Sequence, residues 1–246
     1  MNSLERLIGI LDLFEDDDAA LTAEQMHVLL GYSRSTLYRY LKVLTDSGLL
    51  SSFHSAGYSL GPRVAELDYR MRMRDPLIAA AKPVMLGLTK EFACIALLCR
   101  RYKDKVLCVH QEASTDAFTS NYERGRARSL TRGSASRVIL ANLAAPQIRK
   151  LYERYSAEFA SAGSGRTLAE VRSTMRRIRD RGFEVASEEL TPGVTGIGVA
   201  IFDSRALVIG SINLTIGQVG MSESHINYIA SRVVAGVETI SQVINV

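Results

Sequence analysis

Several features are missing from this sequence, and each absence excludes a class of protein. No apolar run approaches the ~18 to 20 residues needed to span a membrane, so we expect no transmembrane helix and no membrane partner. The N-terminus carries acidic residues and lacks an apolar segment flanked by arginine, so it does not look like a signal peptide. Together these absences lead us to expect a cytoplasmic protein.

Metal-binding and catalytic motifs are missing as well. The three cysteines are Cys94, Cys99 and Cys108. Their odd number and the lack of CxxC spacing argue against a disulfide framework or a zinc site, and favour free buried thiols. The histidines, which are widely separated and form no HExxH motif, are His27, His54, His110 and His225. The chain also has no GxSxG, P-loop or GxGxxG motif with an acidic partner, so we predict no metal, no cofactor and no catalytic residues.

The charge of the chain is unevenly distributed. The 246 residues carry a net charge of +4 and are 47% hydrophobic, an ordinary globular composition with room for one large domain or two modest ones. Residues 1–62 nevertheless contain four basic and eight acidic side chains, including an acidic run at residues 15–18 that we expect in a loop. Positive charge is concentrated between Arg100 and Arg181, with five arginines in a helix expected at residues 168–181.

Residues 22–60 carry the most informative pattern. Thr22 and Gln25 form a capping box at the start of a helix whose apolar residues include Met26, Leu29 and Leu30, and Gly31 suits its end. Ser33 can cap a second helix. Its apolar residues, which recur at helical spacing, are Leu37, Tyr40, Leu41 and Leu44.

The opposite face of the second helix is polar and cationic. Strands at residues 49–53 and 58–60 then surround a wing at residues 54–57. This order predicts a winged helix-turn-helix, which places one helix in the DNA major groove. A plain helical bundle is the alternative, but an amphipathic helix precedes the motif, as expected for the DNA-binding fold; its apolar residues are Leu4, Leu7, Ile8, Leu11 and Phe14. The predicted DNA-binding residues are Arg34, Ser35, Thr36, Tyr38, Arg39, Lys42 and His54.

The rest of the chain predicts an α+β domain. We place the DNA-binding domain at residues 1–62, a linker helix at 63–75 and a second domain at 76–246. The arginines of the linker helix can face solvent, DNA phosphates or an acidic partner. Hairpins, helices and a long closing helix alternate beyond residue 76, with a possible strand at 118–122, an arginine-rich loop at 124–133 and helices at 136–142 and 146–155.

Six stretches of the sequence carry a family resemblance. They are SLERLIGILDLF, LTAEQMHVLLGYSRSTLYRYLKVLTDSGLL and YSLGPRVAELDYRM in the N-terminal part, and GSASRVILANL, RGFEVASEELTPGVTGIGVAIFD and ALVIGSINLTIG in the C-terminal part. Through them the whole chain resembles the IclR family of bacterial transcriptional regulators. It implies a GAF-like effector-binding domain, with an antiparallel sheet flanked by helices. It also implies double-stranded operator DNA as a partner, and a homodimer or homotetramer.

The best candidate for an effector site is the loop and helix start at residues 132–136. Small side chains leave backbone N–H groups accessible there, and a helix N-terminus favours an anion. The resemblance adds pocket positions on the later strands, and glycine at position 196, where the family often has cysteine, suggests a roomier pocket. The predicted effector-binding residues are Gly133, Ser134, Ala135, Ser136, Glu188, Gly196, Asn213 and Thr215.

Parts of this predicted site also have purely structural explanations. Asn213 and Thr215 can be core polar groups whose hydrogen bonds are satisfied, and Glu188 with Glu189 can be a solvated pair at a strand end. Our leading hypothesis is a DNA-binding regulator controlled by a small organic acid, with aromatic acids among the candidates. The alternatives are a structural DNA-binding protein without an effector and an enzyme that carries a DNA-binding domain.

Overall fold

The computed structural model describes residues 2–14, 20–53, 56–115, 124–217 and 219–244. The chain divides into two compact units, Met1–Arg74 and Asp75–Val246, which we call the head and the C-terminal unit. The linker helix therefore groups with the head. Three of our predictions, the acidic loop at 15–18, the strand at 118–122 and the DNA-binding residue His54, fall outside the described residues.

The head contains four α-helices and a two-stranded hairpin among its described residues. They are α1 (Ser3–Ile8), α2 (Ala23–Leu30), α3 (Arg34–Asp46), β1 (Leu50–Phe53), β2 (Gly57–Leu60) and α4 (Pro62–Arg74), with a 3-10 turn at Leu11–Phe14. The first helix is shorter than its apolar spacing predicted, because the chain leaves the α-helix at Gly9 and the phase of the pattern shifts. Ile10 is consequently the fully buried residue of this segment, while Leu4 and Ile8 are exposed.

One apolar cluster holds the head together. It contains Ile10, Leu21, Met26, Tyr32, Leu37, Tyr40, Leu41, Leu44 and Leu50. The predicted stripe of α3 is entirely buried in it. The stripe of α2 is narrower than expected, since Leu29 is 63% exposed. Gly57 begins β2 with a φ of +94°, and a Cβ there would lie 2.5 Å from the carbonyl oxygen of Leu21, so glycine lets the wing cross that backbone closely.

The described residues of the C-terminal unit form a six-stranded antiparallel sheet covered on both faces. Its strands are β3 (Ile95–Tyr102), β4 (Lys105–Ala113), β5 (Ala127–Ser129), β6 (Glu184–Ser187), β7 (Thr195–Phe202) and β8 (Val208–Ile216), in the order β5-β4-β3-β8-β7-β6. Its helices are α5 (Pro76–Phe92), α6 (Ser134–Ala141), α7 (Ala145–Ser161), α8 (Leu168–Arg181) and α9 (Glu223–Ile244). The predicted α+β class, with an antiparallel sheet flanked by helices, is confirmed.

Two apolar clusters fix the helices to opposite faces of the sheet. α5 and α9 pack on one face, where the stripe Ile229, Val233, Val237 and Ile240 of α9 is buried. α6, α7 and α8 pack on the other face, with Val138 and Ile139 of α6 fully enclosed. Apolar packing on both faces of the sheet therefore fixes the position of α6, including its first turn.

The element boundaries depart from the sequence prediction around α6. The expected loop at residues 124–133 contains β5, which pairs with β4. α6 begins at Ser134, two residues earlier than its pattern suggested. α7 continues to Ser161 through a non-helical residue, Tyr155, where the prediction ended it. In the described part of the chain, no helix combines the length and apolarity required to cross a membrane.

Candidate DNA interface and effector pocket

The capping of α3 presents its first turn to solvent. The backbone N–H of Thr36 donates to the Ser33 hydroxyl at 3.4 Å, and that hydroxyl donates to the Thr36 hydroxyl at 2.9 Å. Gly31, at φ +64°, ends α2 in the left-handed conformation, so the chain turns sharply between the two helices. The helix-turn-helix geometry predicted from the sequence is thus present.

Five predicted DNA-binding side chains share the exposed side of α3. They are Arg34, Ser35, Tyr38, Arg39 and Lys42. At about 100° per residue they lie within roughly 140° of the helix circumference, opposite the buried stripe. Thr36 is half-buried, and its hydroxyl accepts a hydrogen bond from Ser33, the N-cap residue of the helix. His54 lies outside the described residues.

Arg34 already has an electrostatic partner. Its guanidinium donates to a carboxylate oxygen of Glu24 in α2 at 2.9 Å, and both side chains are exposed. Exposed ion pairs contribute at most about 1 kcal/mol, so exchanging Glu24 for a DNA phosphate costs little. Arg39 lies with its guanidinium carbon 5.5 Å from the centre of the Tyr40 ring.

The second site is a pocket of about 390 Å³ beside the start of α6. Its volume includes the opening to solvent. It is lined by Gly133, Ser134, Ala135, Ala186, Glu189, Leu190, Thr191, Val194, Gly196, Asn213 and Thr215. The helix start, the ends of two neighbouring strands and the connection between β6 and β7 thus meet around one space. Small-molecule sites typically combine apolar walls with a few convergent polar groups, as this lining does.

A chain of hydrogen bonds crosses the wall of the pocket. The Ser134 hydroxyl donates to the side-chain oxygen of Asn213 at 2.6 Å, and the Asn213 amide donates to the Thr215 hydroxyl at 3.2 Å. All three residues are buried. Since Asn213 and Thr215 lie two residues apart on β8, they share one side of the strand. Their hydrogen bonds are satisfied within the protein, yet both side chains border the pocket.

The first turn of α6 offers free backbone donors. Gly133 precedes the helix with φ +79°, and no described side chain caps that end. The first N–H groups of any helix lack intrahelical acceptors, so those of Ser134 and Ala135 suit an anionic group in the pocket. Leu190 covers this turn, because a Cβ at Gly133 would lie 2.8 Å from its Cδ1 atom.

Two glycines of β7 let α6 approach the sheet. A Cβ at Gly196 would lie 2.6 Å from the Ser134 hydroxyl oxygen, and one at Gly198 would lie 2.8 Å from the Ser134 carbonyl. The comparison with cysteine suggested that glycine at position 196 enlarges the pocket, but the Ser134 side chain occupies that space. The glycine makes room for Ser134 and so permits the hydrogen bond to Asn213.

Arg137 anchors the wall that carries Glu189. Its side chain is 8% exposed and donates to Glu184 at 2.8 Å and to both carboxylate oxygens of Glu189 at 2.7 and 2.8 Å. Glu189 lines the pocket, whereas Glu188 is exposed, has φ +55° and accepts a bond from the Gly193 N–H. The acidic side chain at the pocket is thus Glu189 and not the predicted Glu188.

The structure brings together most, but not all, of the predicted effector residues. Six of them line the pocket: Gly133, Ser134, Ala135, Gly196, Asn213 and Thr215. Ser136 does not line the pocket, because this residue of α6 is fully buried. Its hydroxyl makes no hydrogen bond to a described residue. Leu190 and Thr191, which directly follow the Glu188–Glu189 pair, and Val194, two residues before Gly196, also line the pocket and were missed.

Comparison with known proteins decides the family. A model of the C-terminal domain of bacterial IclR transcriptional regulators matches residues 71–242, and a model of the IclR helix-turn-helix domain matches residues 3–52. The chain belongs to the IclR family. The predicted resemblance is confirmed, and the protein is a DNA-binding transcriptional regulator with an effector-binding C-terminal domain.

Regulatory proteins of several organisms are similar over most of the chain. The regulator KipR of Bacillus subtilis is 26% identical over 229 residues, which cover 92% of this chain and 90% of KipR. The Pca regulon regulatory protein of Pseudomonas putida is 25% identical over 91% of this chain and 77% of its own length. An IclR homologue of Microbacterium hydrocarbonoxydans, crystallised with 4-hydroxybenzoate, has the same fold, with a TM-score of 0.72, 19% identity and 99% of both chains covered.

Proposed function

We propose that this regulator binds operator DNA through α3 and that a small organic acid in the α6 pocket controls that binding. The observation that carries the proposal is the uncapped start of α6, which faces a pocket bordered by Ser134, Asn213 and Thr215. A carboxylate fits this end, because the helix start supplies N–H donors and a partial positive charge.

The opposite wall indicates what the rest of the ligand requires. Ala186, Leu190 and Val194 supply an apolar surface that suits a hydrocarbon chain or an aromatic ring. Glu189 adds a carboxylate that Arg137 holds in place, and this carboxylate can accept a hydrogen bond from a hydroxyl on the ligand. The similar Microbacterium protein binds 4-hydroxybenzoate, which has both an aromatic ring and a hydroxyl group. We propose a hydroxy-substituted or aromatic acid for this chain.

We further propose a homodimer or homotetramer in the cytoplasm, where its DNA lies, without catalytic activity. The relatives named above are transcriptional regulators. Exposed apolar side chains on α1 and α4 supply a surface for a second copy; they are Leu4, Ile8, Leu67, Met71 and Met73. Since the head is net acidic, two heads on one DNA site would compensate for weak binding by each.

Isothermal titration calorimetry of the full chain tests the effector proposal. The ligands are a panel of acids: pyruvate, succinate, benzoate and 4-hydroxybenzoate. We expect saturable binding of at least one acid by the wild type and none by Ser134→Leu, whose side chain would occupy the pocket. Leu207→Ala, at an exposed residue outside the pocket lining, is the control and should bind like the wild type. No binding across the panel, or binding unchanged by Ser134→Leu, would contradict the proposal.

A further inference from the structure

α8 of the C-terminal unit carries an unusual concentration of positive charge. Its five arginines, all exposed, are Arg172, Arg176, Arg177, Arg179 and Arg181. The helix contains two acidic residues, Glu170 and Asp180. One of these, Glu170, is engaged locally, because its carboxylate accepts the backbone N–H of Arg166 at 2.7 Å. The effector and DNA-reading sites described above do not use this helix.

Three of these arginines form one row. Arg172, Arg176 and Arg179 are spaced i, i+4 and i+7, so they lie within about 60° of the helix circumference. We call this row the arginine stripe. The buried residues Val171, Met175 and Ile178, centred about 100° around the helix from the stripe, hold α8 against the core. The remaining two arginines, Arg177 and Arg181, lie about 100° or more around the helix from Arg176.

Arginines on two other helices have carboxylate partners. On α7, Arg149 pairs with Glu153 and Arg154 with Asp104, and on α4 the arginines at 70 and 72 pair within the helix. Among the residues that the structure describes, neither Arg172 nor Arg176 has an ion-pair partner. Like charges at i and i+4 repel each other, so this arrangement is unfavourable until a polyanion neutralises it.

We propose that the arginine stripe binds the phosphate backbone of duplex DNA, as a sequence-independent contact separate from α3. Arg172 and Arg176 are about 6 Å apart along the helix axis, a spacing that lets them contact separate phosphates of one strand. Charge supports the assignment, because the head, residues 1–74, has 8 basic and 10 acidic side chains, while residues 75–246 have 22 and 16. The unit that does not read bases is therefore the one with excess positive charge for phosphates.

Arg179 has a structural bond as well as an exposed position. Its guanidinium donates to the carbonyl oxygen of Ala141, the last residue of α6, at 3.0 Å. Substituting Arg179 would disturb α6, whose first turn borders the effector pocket. The two arginines without such a bond, Arg172 and Arg176, are consequently the ones to change.

Salt-dependent DNA binding by the full chain tests the stripe. The probe is a fluorescent 60-base-pair duplex of mixed sequence, titrated by anisotropy at a series of KCl concentrations. The variants are R172Q/R176Q, R177Q/R181Q with the same loss of charge elsewhere on α8, and R172K/R176K with the charge retained. We expect R172Q/R176Q to reduce the slope of log K against log salt by about 2 per protomer, as expected for two lost phosphate contacts.

The controls make the result specific to this row. R177Q/R181Q should change the slope by less than half as much, and R172K/R176K should keep the wild-type slope. Equal slopes for the two glutamine variants, or a wild-type slope for R172Q/R176Q, would overturn the proposal; the latter is also the result expected if the stripe binds an acidic protein. Failure here leaves the reading of operator DNA by α3 intact, because that depends on sequence discrimination and not on the salt slope.

Discussion

The hydroxyl of Ser134 donates a 2.6 Å hydrogen bond to the side-chain oxygen of Asn213, joining the first turn of α6 to β8. Both residues are at most 4% exposed, so water does not compete for this bond. Helix start and strand therefore form a single preorganised wall. A ligand that contacts this wall therefore does not require Ser134 to move.

Asn213→Ala tests the importance of that wall. The change leaves the buried Ser134 hydroxyl without its acceptor, so we expect a loss of about 1–3 kcal/mol in the free energy of unfolding. Effector affinity should fall with it. Urea denaturation and calorimetry measure the two effects. Asn142→Ala, a half-buried asparagine that bonds to its own helix, is the matched control for stability. Equal stability of Asn213→Ala and the wild type would contradict a stabilising role for the Ser134–Asn213 hydrogen bond.

Gly196→Ala should disturb the site by bringing a methyl group toward Ser134. The new Cβ would lie 2.6 Å from the Ser134 hydroxyl oxygen, so the Ser134–Asn213 bond must lengthen or break. We expect lower effector affinity and lower stability, measured by calorimetry and thermal unfolding. Gly87→Ala in α5 is the control, since its Cβ meets nothing within 4 Å and alanine favours a helix by about 0.5–1 kcal/mol. An unaltered Gly196→Ala protein would refute this account of the glycine.

Arg137→Met should be the most damaging single change at the site. It leaves Glu184 and Glu189 without the guanidinium that bridges them, and breaking a buried ion pair costs about 3–5 kcal/mol. Denaturant titration measures the loss. Arg149→Met removes an exposed pair and should cost less than about 1 kcal/mol. Similar losses for the two variants would show that Arg137 is not a buried anchor.

Arg39→Ala tests whether α3 reads DNA. We expect a loss of about 1–3 kcal/mol of binding free energy if the guanidinium contacts a base. The DNA is a site selected from a random duplex pool by the wild-type protein. Arg205→Ala, an exposed arginine of the C-terminal unit, should leave affinity unchanged. Unchanged affinity for Arg39→Ala would remove this residue from the interface.

Local periodicity predicted the parts of the fold that depend on neighbours in sequence. The buried stripe of α3, the capping box at Thr22 and the hairpin around the wing follow from spacing alone. The predicted first helix was too long, because the helix ends at Gly9 whereas the apolar spacing continues into the 3-10 turn. Such interruptions depend on where Ile10 packs, which a helical wheel does not show.

The site was predictable where the family resemblance named positions, and less so where tertiary contacts decide. Small residues at a helix start pointed to Ser134 and Ala135, and alternation pointed to Asn213 and Thr215. The choice between Glu188 and Glu189 depends on the turn that gives Glu188 a positive φ. Burial of Ser136 depends on packing of α6 against the sheet. Neither is encoded in spacing along the chain.

The most direct test of the central claim is whether the acid identified by calorimetry changes DNA affinity through the α6 pocket. Fluorescence anisotropy would measure the Kd of the full chain for its selected DNA site, with and without saturating acid, for the wild type and Ser134→Leu. A ligand shifts DNA affinity only through its differential binding to the two states of the protein. We predict that the acid changes the Kd of the wild type at least fivefold, a coupling of about 1 kcal/mol or more, and leaves that of Ser134→Leu unchanged. An equal change in both proteins, or no change in the wild type, would contradict control of DNA binding by this pocket.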